Sequence, residues 1–453
     1  MTRVLIVGAG PAGMRAAEML ATAGITPVVV DEGARAGGQI YRRPPRGFIR
    51  RPEALYGSEA SKAVALHQCF DTLVTQNRVE YRAQTSVLGL GDGTAHLSGP
   101  AGYEQIGFER LILATGAMDR VVPIAGWQTG GVYTLGAMQI ALKAQGVALG
   151  QQIVLLGTGP LLTLLAAQLV QSGADVRAVL DTSDMLGQVR GGVAMAAARP
   201  WVTLRGLGMR RQLGRRYHAG ITPLRIETDE QGPTAVHWRD AKGTQHVTSC
   251  DAVGMGWHLR AETHLADLAG AQFYWDKDFA QWLPEIDGFG RARADLYLAG
   301  DGARLLGADA AEIAGRLAAI ACLRDMHLAA PDPTADLRRI DRMERFARAM
   351  QHAFPWPADL VRQADDHTVL CRCEGVTAGD LRQTADWSGP EANRAKSLGR
   401  VGMGRCQGRY CQLAGAEVIA AKAGMRTEDV GRLRSQAPVR PVPISALIQD
   451  SSD

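Results

Sequence analysis

An α/β chain with two dinucleotide-binding βαβ units and a small cysteine-bearing C-terminal domain is the fold that three observations in the sequence predict. An apolar run, Val4–Val7, meets Gly8, Gly10 and Gly13 in GxGxxG spacing, and one helix and one strand later the acid Asp31 follows. A second apolar run, at 153–156, opens into GTGPLL with Gly157 and Gly159 in place and reaches Asp181 after its own helix and strand. Near the C-terminus Cys371 and Cys373 form a CxC pair, and Cys406 and Cys411 form a CxxxxC pair within GMGRCQGRYC.

In the first unit Gly8 permits the tight turn, Gly10 lets the backbone approach a pyrophosphate and Gly13 lets helix and strand pack closely. Pro11 and Ala12 open the helix whose N-terminus faces the phosphates, and Asp31, with Glu32 beside it, is placed to hold a ribose hydroxyl. Gly37, Gly38, Gln39, Ile40 and Tyr41 then give a flexible wall that can close over a pyrophosphate and ribityl chain. This run resembles the GGQ segment of thioredoxin-reductase-like flavoproteins. Residues 52–76 read as helix and 79–98 as short strands. The strand 111–114 runs into Thr115 and Gly116, and this LILATG segment, followed by Pro123 and Gly126, looks like the second signature of two-dinucleotide flavoproteins. Two matched signatures favour FAD as the nucleotide bound through Ala114, Thr115 and Gly116 as well.

The second unit departs from the pattern at its third position, where Leu162 stands in place of glycine or alanine and should push the helix from the strand. Three readings stay open for Gly157, Gly159 and Asp181: NAD(P)H, a different adenine nucleotide such as ATP, or an empty scaffold. From 190 to 216 seven arginines (190, 199, 205, 210, 211, 215, 216) interrupt the pattern, as a solvated face or as a dock for a partner subunit or an anionic ligand. Residues 221–253 alternate as a β-meander, and His218, His258 and His264 read as structural or surface residues. The strand 296–299 ends in Gly300 and Asp301, a pair that in flavoproteins puts a carboxylate on a ribityl hydroxyl, and the helix at 308–328 would aim its positive end at the flavin pyrimidine ring. An amphipathic helix through 337–350 is broken by Phe354, Pro355, Trp356 and Pro357. The expected domains are therefore 1–125 plus 288–350 for FAD, 126–287 as the NAD(P)-binding-like middle, a linker at 351–365, a cysteine domain at 366–430 and a tail at 431–453.

The 453 residues allow roughly three domains. A net charge of +4 with interspersed signs argues for neither nucleic acid nor a membrane. No apolar run nears the roughly 18 residues of a spanning helix, and a signal peptide is not expected ahead of a strand that starts at Val4. A cytoplasmic chain is the simple reading, with attachment at the inner membrane through an electron acceptor as its variant. Of seven cysteines, Cys69, Cys250 and Cys322 read as buried thiols. The other four suit zinc, an iron–sulfur cluster or unligated thiols; Gly402, Gly404 and Gly408, which let backbone amides turn toward sulfide, favour [2Fe–2S]. The middle domain has no CxxC, which excludes disulfide chemistry of the thioredoxin-reductase kind.

With these cysteines in view, the last segment resembles the bacterioferritin-associated-ferredoxin type of [2Fe–2S] domain. Joined to a glutathione/thioredoxin-reductase-like body, the whole chain resembles the larger FAD subunit of heteromeric bacterial dye-linked dehydrogenases, a family that includes the opine oxidase A-type subunit, the hydrogen cyanide synthase B subunit and the D-hydroxyproline dehydrogenase α subunit. The resemblance implies an electron-transfer subunit that binds FAD and a [2Fe–2S] cluster at the residues named above. It further implies a second FAD subunit of the amino-acid-oxidase type that oxidises the C–N bond, a small third subunit in some members, and a quinone or carrier as acceptor. No base or substrate clamp is evident in this chain, so no catalytic residue is assigned. The competing reading is a self-sufficient NAD(P)H-dependent FAD/iron–sulfur reductase.

Overall fold

The computed structural model describes residues 3–45 and 47–446; residues 1, 2 and 46 of the expected first domain and 447–453 of the expected tail lie outside them. Inner strands buried on both faces, valine-rich at Val4–Val7 and Val28–Val30, and two charged edge strands build a six-stranded sheet in the order Arg291–Arg293, Leu296–Leu298, Arg110–Leu113, Val4–Val7, Val28–Val30, Glu80–Arg82. All neighbours run parallel except the edge strand Arg291–Arg293. Register does the positioning: Val7 pairs with both Val30 and Leu113, and Leu113 with Leu298. Gly8, Asp31, Ala114 and Gly300–Asp301 therefore emerge together at the carboxyl edge, where ligands bind in open α/β sheets. Helix Pro11–Thr22 packs against helix Ala308–Asp325 on one face of this sheet.

The middle unit repeats the design with a five-stranded parallel sheet, Tyr217–Ala219, Asp175–Asp181, Gln152–Thr158, Ala252–Trp257, Val132–Thr134. The expected meander is present as Thr222–Thr228, Pro233–Arg239 and Gln245–Ser249. The arginine-rich stretch, which broke the sequence pattern, forms two helices, Met185–Ala198 and Pro200–Leu213.

Residues 351–365, expected as a linker, are packed instead. His258 donates from Nε2 to the Phe354 carbonyl at 2.5 Å, the Arg120 guanidinium lies 3.6 Å from the Trp356 ring centroid, and Val361 is fully buried. The C-terminal segment shares a continuous apolar core with the middle unit, running from Trp127, Val154 and Trp257 to Val361, Leu370, Leu381 and Val418. Trp127 Nε1 seals the join by donating to the Val369 carbonyl at 2.6 Å. Among the described residues no helix is long and apolar enough to cross a membrane.

Candidate functional site

At the first sheet edge two of the three motif glycines are fixed by the protein's own packing. A Cβ on Gly8 would lie 2.3 Å from the Ala114 carbonyl oxygen, and one on Gly13 would lie 1.8 Å from that of Gly8. A Cβ on Gly10 would meet only the Gly38 Cα, at 3.7 Å. Gly10 is thus not demanded by chain packing, and the space beside it fits a pyrophosphate at the N-terminus of helix Pro11–Thr22. The Gly37 N–H closes the neighbouring wall by donating to the Ala9 carbonyl at 2.8 Å, while Gln39 stands exposed with its amide oxygen accepting from Arg42 at 2.7 Å.

Asp31 accepts from the Ala9 N–H at 2.5 Å and the Gly33 N–H at 2.6 Å, which leaves lone pairs of both oxygens for ribose hydroxyls. Burial raises its pKa against those two donors. Glu32 is taken by Arg440, reaching back from the C-terminal tail. Asp301 Oδ1 accepts from the Leu306 and Gly307 N–H groups at 3.0 and 2.9 Å; among the described residues Oδ2 has no partner and stays open to a ligand hydroxyl. Burial raises the Asp301 pKa as well. These groups, drawn from four strand ends, form one cleft edge suited to a dinucleotide.

The second fingerprint is filled by the protein itself. Asp181 is fully buried and accepts from Thr158 Oγ1 at 2.7 Å, the Ser183 N–H at 2.8 Å, Gln188 Nε2 at 3.4 Å and the Tyr217 hydroxyl. Four donors saturate a carboxylate, so Asp181 has nothing to offer a ribose, and of the three readings the sequence leaves open this favours the empty scaffold. A Cβ on Gly159 would meet the His258 ring at 3.0 Å, so the imidazole stands where a pyrophosphate would approach. Burial lowers the His258 pKa to about 4, which keeps the ring neutral and its Nε2–H on Phe354. Leu162 is fully buried among Leu135, Leu155 and Leu165: it is a core residue rather than a wall of a pocket.

The four cysteines converge from two elements. Strand Val369–Cys371 and its turn carry Cys371 and Cys373; the loop before helix Gln412–Ala423 carries Cys406 and Cys411. Positive φ at Gln407 (54°) and Gly408 (81°) curls that loop so that the Gly408 and Tyr410 amides face Cys406. The sulfurs meet in two pairs, Cys371 with Cys411 and Cys373 with Cys406. The Cys411 thiol and the Gly402, Glu374 and Cys373 amides pull the Cys371 pKa down to about 6, while its partners and burial push Cys411 well up. Among the described residues no group of three or more His, Cys, Asp or Glu side chains is set to hold a metal ion as it stands. Four thiols drawn together with backbone amides turned toward them are nonetheless a donor set that would suit an iron–sulfur cluster.

A buried charged bridge that no sequence pattern announced connects the two sites. Thr115 Oγ1 donates to the Glu262 carbonyl at 2.6 Å, and the Glu262 N–H donates to the Gly116 carbonyl at 3.0 Å. The Glu262 carboxylate accepts from Arg409 Nε at 2.6 Å, and Arg409 Nη1 donates in turn to the Cys406 carbonyl at 3.1 Å. Arg260 donates to the Gly408 and Arg409 carbonyls at 3.3 and 2.9 Å. Against their burial, His264 and Arg409 hold the Glu262 pKa well below the usual carboxylate range. Both His264 nitrogens face acceptors, Glu262 at 2.6 Å and the Gln407 carbonyl at 2.8 Å, while burial lowers the ring's pKa. Lys143 was likewise unannounced: 6% exposed, it donates to the Ile40 carbonyl at 3.3 Å, with its pKa lowered by burial to about 8.

The chain is similar to known proteins along nearly its whole length. The family model described as pyridine nucleotide-disulphide oxidoreductase matches residues 2–320, and that described as sarcosine oxidase A3 domain matches residues 367–450. The A-type subunit of opine oxidase from Agrobacterium tumefaciens (strain Ach5) is 34% identical over 98% of this chain and 91% of its own length. Hydrogen cyanide synthase subunit HcnB of Pseudomonas aeruginosa is 30% identical over 98% of each. Among solved structures, L-proline dehydrogenase from P. horikoshii superposes with a TM-score of 0.73 at 18% identity, covering 99% of this chain and 80% of that one, a likeness of fold.

Proposed function

The chain belongs to the pyridine nucleotide-disulphide oxidoreductase family and, within it, to the group of the opine oxidase A-type subunits, and from that premise we propose that it is the FAD and [2Fe–2S] electron-transfer subunit of a heteromeric dehydrogenase. The complex would oxidise the C–N bond of an amino acid or opine and pass the electrons to an acceptor other than oxygen. FAD would be held by Gly8, Gly10, Asp31, Thr115, Gly116 and Asp301, and the cluster by Cys371, Cys373, Cys406 and Cys411. When bound, the flavin exchanges electron pairs and the cluster single electrons, which suits a relay between a two-electron donor and a one-electron carrier.

The observation that carries this reading is the Glu262–Arg409 bridge, which ties the backbone of the nucleotide edge to the backbone of the cysteine loop. A fixed separation between two redox groups is what a relay needs. The reading of a self-sufficient NAD(P)H reductase loses its footing at Asp181 and His258, which fill the second nucleotide loop from within.

The test is reconstitution. The purified chain loaded with FAD and iron should not reduce dye with opines, D-hydroxyproline, sarcosine or glycine, and anaerobic NADH or NADPH should leave its flavin oxidised. Activity with one of these amines should appear when a second FAD subunit is co-expressed. Robust turnover by the single chain would overturn the subunit reading, and flavin bleaching by NADH would revive the reductase.

A further inference from the structure

The two helices Met185–Ala198 and Pro200–Leu213 are built inside out. The inward face of the first carries Gln188 and Gly191, the latter seated against the Ala353 backbone, where a Cβ would approach to 2.6 Å. Its outward face carries Met185, Leu186, Val189 (59% exposed) and Val193 (69%). The second helix buries only Leu213 and exposes Trp201 (82%), Leu204 and Leu207. Exposed apolar side chains in this number on one pair of helices mark an interaction site.

Charge supplies the rest. From 185 to 216 the chain has seven arginines and no acidic residue. Arg199 is paired with Asp309 and Arg205 with Glu59, which pins the hairpin to the first domain beside the N-terminus of helix Ala308–Asp325. Among the described residues Arg190, Arg211, Arg215 and Arg216 are exposed and make no side-chain ion pair. Outward aliphatic residues, a tryptophan at a helix start and unpaired arginines around them combine apolar surface with positive charge, the two attractions that draw a peripheral protein to anionic lipid.

We propose that the Met185–Leu213 hairpin docks the protein onto an anionic lipid bilayer, with Trp201, Leu204, Val189 and Val193 entering the headgroup boundary and the free arginines meeting lipid phosphates. The hairpin's anchorage at Asp309 then sets the first nucleotide edge close to the membrane plane, which would give the enzyme access to an acceptor dissolved in lipid. The proposal does not depend on which amine the complex oxidises.

The experiment is vesicle co-sedimentation of the FAD-loaded chain, and of its complex with the second subunit, using phosphatidylcholine alone or mixed with phosphatidylglycerol. Binding should require phosphatidylglycerol and weaken as salt rises. The combined variant Arg211→Ser, Arg215→Ser, Arg216→Ser should reduce partition on the order of a hundredfold, and Trp201→Ser by at least about tenfold, with FAD content unchanged because all four side chains are exposed. Hydrogen exchange in both helices should slow on adding the mixed vesicles. Absence of binding to those vesicles, or equal binding by both variants, would overturn the proposal. Protection of the same helices in the lipid-free complex would overturn it too and make the hairpin a subunit interface.

Discussion

Replacing Arg409 with methionine removes one half of a buried ion pair while keeping most of its volume. The Arg409 and Glu262 side chains are 7% and 9% exposed, so the carboxylate left behind has little water to turn to. Stripping one partner from a buried pair costs about 3–5 kcal/mol. The lost bonds to the Cys406 carbonyl at 3.1 Å and the Val439 carbonyl at 2.8 Å add about 1 kcal/mol each. The sum, about 5–7 kcal/mol, falls on the join between the cysteine loop and the nucleotide edge, so iron retention should drop along with urea resistance. Glu262→Gln alone should cost about 3 kcal/mol, and the double variant less than the sum by about 2–3 kcal/mol, because neither charge is then stranded. Since the folded-state pKa of Glu262 is depressed, this coupling is present above the carboxylate's unfolded value near 4.5 and is lost only as pH falls through the lower folded one. A loss below about 1 kcal/mol in Arg409→Met, or additivity in the double variant within about 0.5 kcal/mol, would refute the bridge as an energetic link.

Cys406→Ser should abolish the cluster's absorbance and release iron while most FAD stays bound; unchanged iron and sulfide per chain would show that Cys406 is no ligand. Gly10→Val should expel FAD without unfolding the chain, because the protein leaves that Cβ position open, and full flavin occupancy would place the nucleotide elsewhere. Acid should weaken the fold through His67 and His258, whose pKa values burial lowers from 6.5 to about 4. The unfolded rings take protons below about 6.5 and the folded ones do not, so stability present at neutral pH is lost between about 6.5 and 4, on the order of 3 kcal/mol per ring. Comparing the wild type with His258→Asn between pH 7.5 and 5 isolates one ring from the buried carboxylates Asp31 and Asp301, whose raised values act in the opposite direction. Identical pH slopes in the two proteins would contradict the assignment.

Much of the first site was legible because its chemistry is local: spacing alone places Gly8, Gly10, Gly13 and Asp31, and parallel register brings Thr115 and Asp301 to the same edge. Spacing likewise singled out the four cysteines as two short motifs, but their spatial pairing, Cys371 with Cys411 and Cys373 with Cys406, crosses from one motif to the other, and no local pattern announces it. The Glu262–Arg409 bridge was not, because its halves lie 147 residues apart and neither belongs to a repeating pattern. The second fingerprint left its occupant open at Asp181 because an acid at the right distance reads the same whether its lone pairs are free or, as here, spent on Thr158, Ser183, Gln188 and Tyr217. His258, expected to be merely structural, closes Gly159 because its backbone adopts φ 60°, which no residue preference announces. The outward-apolar hairpin read as an interruption because periodicity locates the face that meets protein, and this one faces away from it.

The core that joins Trp127 to Leu370 and Val418 bears on how this protein can be taken apart and recombined. A gene cut after residue 365 would not yield two self-sufficient modules: the first product would bare Trp127 and Trp257, and the second would lack a wall for Leu370 and Leu381. Made together, the fragments should find each other and complement, since each supplies the other's missing apolar surface. A chimaera carrying a relative's cysteine segment must inherit that relative's counterpart of the Trp127 surface as well, so the unit of exchange between such enzymes is the middle sheet together with the segment it cradles.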